Sequence, residues 1–232
     1  MAGAAFRRPL WEYSHRYGPP RATFLQGVYA IMITVENLTF SYGSGKAVVS
    51  CGHASFEPGN IYLLTGPNGS GKTTFLRLLL GLLKPTGGKI SGLREQTVAY
   101  VPDYNGLYDS LSVLENIKFR LALYNLDYAK EKDRIFRILE QYRMDTEKDK
   151  LVRDLSLGMK KKAALICALA VRSSLLILDE PTGGLDADAR KELSDMLLRC
   201  LSPETTILCT THDQEFIDSL PGSVPIRFPM EG

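Results

Sequence analysis

Residues 66–74 read GPNGSGKTT, preceded by IYLLT (61–65) and followed by FLRLLLGLL (75–83). The spacing G-x-x-x-x-G-K-T belongs to a loop whose successive N–H groups converge on phosphate oxygens. Its glycines permit the turn because a residue without Cβ tolerates left-handed backbone. The helix that follows adds the positive end of its dipole to the same place. Lys72 is then placed to reach the β- and γ-phosphates as a point charge, and the Thr73 hydroxyl to ligate Mg²⁺. Gly66, Pro67, Asn68, Gly69, Ser70, Gly71, Lys72, Thr73 and Thr74 are the candidate nucleotide contacts.

Outward from this loop the chain alternates. IYLLTG (61–66), VAYVPD (98–103), LLILDE (175–180) and TTILCT (205–210) are short, nearly continuous apolar runs. Such runs suit central strands of a parallel sheet covered on both faces. Helical stretches are expected at about 72–83, 187–201 and 213–220, and strands alternating with helices argue for an α/β fold. MITVENLTFSYG, from Met32, reads as a further strand. Between about 104 and 156 the alternation stops. LSVLENIKFRLALYN and EKDRIFRILEQYR are helical, and in the second Ile135, Ile138, Leu139 and Tyr142 share one face. This predicts a small helical insert between strands of the sheet.

LLILDE places Asp179 and Glu180 at the carboxyl end of a buried strand, where open α/β sheets put their ligand sites. Neighbouring strand residues point to opposite sides, so the two carboxylates are expected to differ in role. Asp179 suits Mg²⁺, directly or through water, and Glu180 suits polarising the water that attacks a γ-phosphate. His212 ends another such run; on position alone it is either a satisfied polar group or a γ-phosphate contact.

LSLGMKKK (155–162) is harder to place. AALICALAV follows it and reads as a buried helix. Three lysines in the first turn face the positive end of a helix dipole, which costs about 0.3–1 kcal/mol per charge. They form either a solvated face or a face made tolerable by a neighbouring polyanion.

Composition is that of an ordinary globular protein, with 44% hydrophobic and 23% charged residues. No apolar run approaches the roughly 18–20 residues of a membrane span. Residues 1–31 carry Arg7, Arg8, Arg16 and Arg21 against Glu12, which leaves 24 of the 28 basic and 25 of the 26 acidic residues elsewhere. A near-neutral body is poor electrostatic evidence for a nucleic-acid binder, and no nucleic-acid partner is expected. Cys51, Cys167, Cys200 and Cys209 show no metal-binding spacing and are expected as buried, reduced thiols of a cytosolic protein. Residues 1–31 are expected to be a dispensable tail.

SYG, GPNGSGKTT, YVPD, LSLGMKKK, LLILDEP, GGLD and TTHD, in this order over roughly residues 32–215, resemble the nucleotide-binding subunit of ATP-binding cassette (ABC) transporters. The resemblance implies a RecA-like P-loop NTPase core with an antiparallel β edge and the helical insert, spanning 32–226. It implies that Tyr42 stacks on adenine and that His212 contacts the γ-phosphate. Leu185 and Asp186 look like the loop that communicates across a dimer. LSLGM resembles the signature motif, usually LSGGQ, so Ser156 and Gly158 would contact the ATP of an opposite subunit, whose γ-phosphate would be the anion facing the helix start.

Two departures from the family pattern stand out. Leu157 and Met159 replace the usual Gly and Gln, a variant similar to those of exporter ATPases that serve separate membrane subunits. Asp103 stands where the family normally has Gln; it keeps an oxygen for Mg²⁺, adds a negative charge and loses a donor.

The resemblance implies an ATPase that uses ATP and Mg²⁺ and dimerises with itself or a paralogous subunit. It would drive an integral membrane permease through the insert, as an exporter peripheral on the cytoplasmic face of the membrane. The alternative is a soluble cassette ATPase acting on a cytosolic assembly, such as iron–sulfur cluster biogenesis. A degenerate, non-catalytic binding module fits poorly with intact Lys72, Asp179, Glu180 and His212.

Overall fold

The computed structural model describes residues 32–94 and 96–230. The dispensable tail expected over 1–31 lies outside the described residues.

Among the described residues, eight strands form two sheets. The first is antiparallel, in the order β2 (Val49–Phe56), β1 (Ile33–Phe40), β4 (Gly87–Ser91). The second is parallel, in the order β5 (Val98–Val101), β6 (Leu175–Asp179), β7 (Thr206–Thr211), β3 (Ile61–Thr65), β8 (Val224–Arg227). The four apolar runs became the adjacent strands β5, β6, β7 and β3, the last three central as expected and β5 at the sheet's edge. Their two faces feed two separate apolar clusters. Leu176 and Leu178 of β6 join one, and Leu175 and Ile177 join the other. That alternation explains why the runs are apolar throughout.

Helix α1 (Lys72–Leu79) and the antiparallel sheet cover the second face. The first face is covered by α2 (Val113–Leu123), α3 (Tyr128–Gln141), α4 (Leu157–Leu169), α5 (Ala187–Cys200) and α6 (Gln214–Asp218). The expected helical insert corresponds to α2, α3 and a 3₁₀ turn at Val152–Asp154. Ile135 and Leu139 are wholly buried and Tyr142 nearly so, while Ile138 is half-buried. The insert therefore shares the sheet's core. A capping box between Ser112 and Glu115 starts α2.

Register sets the site. Asp179 of β6 lies opposite Thr210 of β7, and Thr65 of β3 opposite Thr211. Val101 of β5 lies opposite Leu178. The carboxyl ends of four strands thus converge, with the phosphate loop, Glu180, His212 and Asp103 each leaving one of them.

Candidate active site

The phosphate loop leaves β3 and enters α1 at Gly71, whose φ is +100°. A Cβ on Gly71 would meet the Val48 carbonyl at 2.5 Å, and one on Gly66 the Phe228 carbonyl at 2.4 Å. Both glycines are required by close backbone approach, the second because β8 brings Phe228 against the loop. No side chain caps α1. Its first N–H groups face the loop, the arrangement that attracts an anion. Ser70 Oγ is buried there without a hydrogen-bond partner among the described residues.

Lys72 is nearly buried, and Nζ donates to the carbonyls of Gly66 at 2.8 Å and Pro67 at 3.3 Å. Its ammonium lies 3.6 Å from Glu180 Oε1. Thr73 Oγ1 donates to Asp179 Oδ1 at 3.1 Å, and Thr210 Oγ1 donates to the same oxygen at 2.6 Å. Asp179 is only 3% exposed. Burial holds its carboxyl above the usual range, the hydroxyls of Thr210 and Thr73 pull it down, and the charges of Asp103 and Glu180 push it up again.

The strand ends at Asp179, and Glu180 adopts φ +45°. Alternation therefore stops before Glu180, and the two carboxylates do not diverge to opposite sides as expected. Both approach the phosphate loop, Asp179 at Thr73 and Glu180 at Lys72. Glu180 N donates to Thr210 Oγ1 at 2.9 Å, which fixes the turn. Left-handed backbone at a non-glycine costs on the order of 1–3 kcal/mol and persists where its surroundings enforce it. His212 Nδ1 lies 3.0 Å from Glu180 Oε2.

Sequence reasoning missed Thr210, whose hydroxyl donates to the Asp179 carboxylate and accepts the Glu180 main-chain N–H; its one signal is the hydroxyl two residues before His212. Asp103 is exposed, and Oδ1 accepts the Tyr104 N–H at 2.9 Å, apart from the Thr73–Asp179 contact. Tyr42 is exposed, packs edge-on against Phe40 at 4.8 Å and has its hydroxyl 3.4 Å from Thr74 Oγ1. That leaves a ring face open beside the loop.

Ser156 and Gly158 form a second group. Ser156 caps α4, with Oγ accepting the Met159 N–H at 3.3 Å, so its own hydroxyl hydrogen is still available. Asp186 caps α5, accepting the Ala189 N–H at 2.8 Å. With Leu157, Gly184 and Leu185 these residues line one groove of about 720 Å³. None of residues 66–74 lines it, nor does Glu180 or His212. The structure gathers the predicted residues into two separate sets.

The lysines of the α4 first turns are neither a uniform solvated face nor left to a distant anion. Lys160 approaches Asp109 at 3.8 Å and Lys162 approaches Glu192 at 2.5 Å. Lys161 is buried, and Nζ donates to the Asp103 carbonyl at 2.7 Å. Each has a partner in its own chain. The four cysteines are free thiols, and all but the half-buried Cys200 are buried.

Residues 52–183, more than half of the chain, match the family model described as ABC transporter. The chain belongs to that family. Among curated relatives it is 36% identical over 199 residues to the Nod factor export ATP-binding protein I of Cupriavidus metallidurans, covering 82% of this chain and 65% of that protein. It is 37% identical over 193 residues to the sulfate/thiosulfate import ATP-binding protein CysA of Thermosynechococcus vestitus, covering 79% and 57%. The chain thus spans about three fifths of these relatives. A solved structure titled as the ATP binding subunit of an ABC transporter superposes with a TM-score of 0.74 at 26% identity, covering 87% of this chain and 89% of that one. The expected fold, a parallel P-loop core with antiparallel strands, is the one found; the antiparallel strands make a sheet of their own.

Proposed function

We propose that this chain is the ATP-hydrolysing subunit of an ABC transporter, working as a dimer on a separate membrane permease. One observation carries the proposal. Lys72, Thr73, Asp179, Glu180 and His212 come from three strand ends and meet at a loop that still holds an orphaned Ser70 hydroxyl. Lys72 and the start of α1 hold the phosphates, while Tyr42 receives the adenine on its open face. Glu180, between Lys72 and His212, accepts a proton from the attacking water. His212 holds Glu180 and contacts the γ-phosphate.

Mg²⁺ fits the donors, a hydroxyl and a buried carboxylate 3.1 Å apart. Among the described residues no cluster of three His, Cys, Asp or Glu side chains can hold a metal alone, in keeping with an ion that also needs phosphate oxygens. Thr73 and Asp179 would hold it, with Asp103 at the rim, and it would neutralise charge on the β- and γ-oxygens.

The second set, Ser156, Gly158 and Asp186, serves the ATP of the partner copy. ATP closes the dimer and loss of the γ-phosphate opens it. The insert presents Tyr104, Tyr108 and Phe119 to solvent, and Tyr108 stacks edge-on against Phe119 at 4.9 Å. Such an exposed aromatic patch supports docking of the permease from its cytoplasmic side. Among the described residues no helix is long and apolar enough to cross a membrane. Leu157 and Met159 in LSLGM support an exporter. The two relatives are named one for export and one for import, so the direction rests on that stretch alone.

Glu180→Gln should keep ATP binding and lower phosphate release by at least about 100-fold. Unchanged hydrolysis in that variant would remove Glu180 from the mechanism.

A further inference from the structure

Lys161 is a charged residue that the reaction above leaves unused. It lies in α4, five positions after Ser156, yet its side chain turns inward and is 5% exposed. Its ammonium donates to the main-chain carbonyl of Asp103 at 2.7 Å, across the end of β5. Burial pushes its pKa down, and the charges of Asp103, Asp179 and Glu180, in that order, draw it back up. Lys160 and Lys162 engage Asp109 and Glu192 instead, so Lys161 alone of the three is turned to the site. A buried ammonium is expensive to desolvate unless negative charge lies near it. Here that charge is the acidic lining of the nucleotide site.

Asp103 is the feature that needs such a neighbour. It puts a carboxylate where the resembling family has an uncharged glutamine, and its charge is felt at Asp179. A triphosphate entering beside Thr73 and Asp179 would meet that added repulsion. The Asp103 carboxylate is meanwhile folded back onto the Tyr104 N–H, so its segment is fixed from one side by its own loop and from the other by Lys161.

We propose that Lys161 is a positioning residue that anchors the Asp103 segment at the mouth of the nucleotide site and offsets the carboxylate this chain carries there. The pair presents a triphosphate with the same net charge as an uncharged residue at 103 would. The inference rests on the ATP-site reading above. It also gives the helix that opens with Ser156 a rigid link to the site of its own subunit, through a charge-assisted hydrogen bond.

The test is equilibrium binding of a fluorescent N-methylanthraniloyl ATP to the full chain in EDTA, where charge at the site acts without a metal. Lys161→Met should weaken binding about fivefold, and Asp103→Asn should tighten it about threefold, as expected for single charges near the ligand in a partly screened site. The double variant should return to within about twofold of wild type. A Lys161 with only a structural role would leave the loss in Lys161→Met unchanged as salt is raised, whereas a charge effect shrinks with screening. Wild-type binding by Lys161→Met, or no recovery in the double variant, overturns the proposal. Should Lys161→Met fail to fold, the exposed Asp103→Asn carries the test, and binding unchanged or weakened overturns it. Lys72→Ala separates the two readings. If wild type does not bind, or Lys72→Ala binds equally well, the ATP-site reading fails. Lys72-dependent binding indifferent to positions 161 and 103 sinks this inference only.

Discussion

Asp179 concentrates the electrostatics of the site in one side chain. It is almost dry, and two hydroxyls donate to a single one of its oxygens. Burial raises its pKa in the folded chain above the unfolded value of about 3.9, so the native state binds its proton more tightly. The sign follows from linkage: the charged carboxylate opposes folding, by nothing at low pH and increasingly as pH rises through the folded value. The opposition levels off once the pH has passed the folded value. Asp179→Asn should therefore raise the melting temperature of the ligand-free chain at pH 7. Relief on the order of 1 kcal/mol corresponds to about 2–4 °C at this length. The gain should vanish at acid pH, and stabilisation by MgATP should fall. A lower melting point at pH 7 with the gain absent would show the carboxylate to be a net support of the fold. The meeting of Lys72, Thr73 and Asp179 at one loop and strand end was legible in the sequence because motif spacing fixes it. The turn at Glu180 and the inward course of Lys161 were not, because a backbone dihedral and a long side chain's direction depend on what packs around them.

At the scale of elements, α4 is held at both ends by other parts of the chain. Lys161 ties its beginning to β5, and Arg134 of α3 closes its end. Arg134 Nη1 donates to the Leu169 carbonyl at 3.3 Å and Nη2 to that of Ala170, while Glu131 binds Arg134 at 2.6 Å and Arg172 at 3.1 Å. A cation on the last carbonyls of a helix satisfies orphan acceptors and complements the dipole. Arg134→Ala should cost on the order of 2 kcal/mol, or about 4–8 °C in melting temperature, with faster amide exchange at the end of α4. A shift below about 1 °C would show the contact to be idle. Four of the five parallel strands were legible because burial leaves little room in them for polar residues. β2, β4 and β8 were not read individually. GGKIS and VPIR are largely exposed, and VSCGHASF is buried at only three positions, so none carries a continuous apolar run. The helices of the insert were legible from their apolar faces; their fusion with the sheet's core was not, because it joins residues far apart in sequence.

Across the whole molecule, the residues that resemble one ATP site fall into two sets that a single chain keeps apart. The loop at 66–74 with Asp179, Glu180 and His212 is one set; the groove of Ser156, Gly158 and Asp186 is the other. Two copies related by a two-fold axis would each lend the groove of one to the loop of the other. Motif order named these residues, and only the folded chain separates them. The direct test is complementation between two disabled variants. Lys72→Ala spoils the loop and Ser156→Arg the groove, and each alone should hydrolyse little ATP. Mixed in equal amounts they should recover about a quarter of the wild-type rate, since half of the dimers then hold one intact site of two. A mixture no more active than its separate components would contradict a site shared between copies.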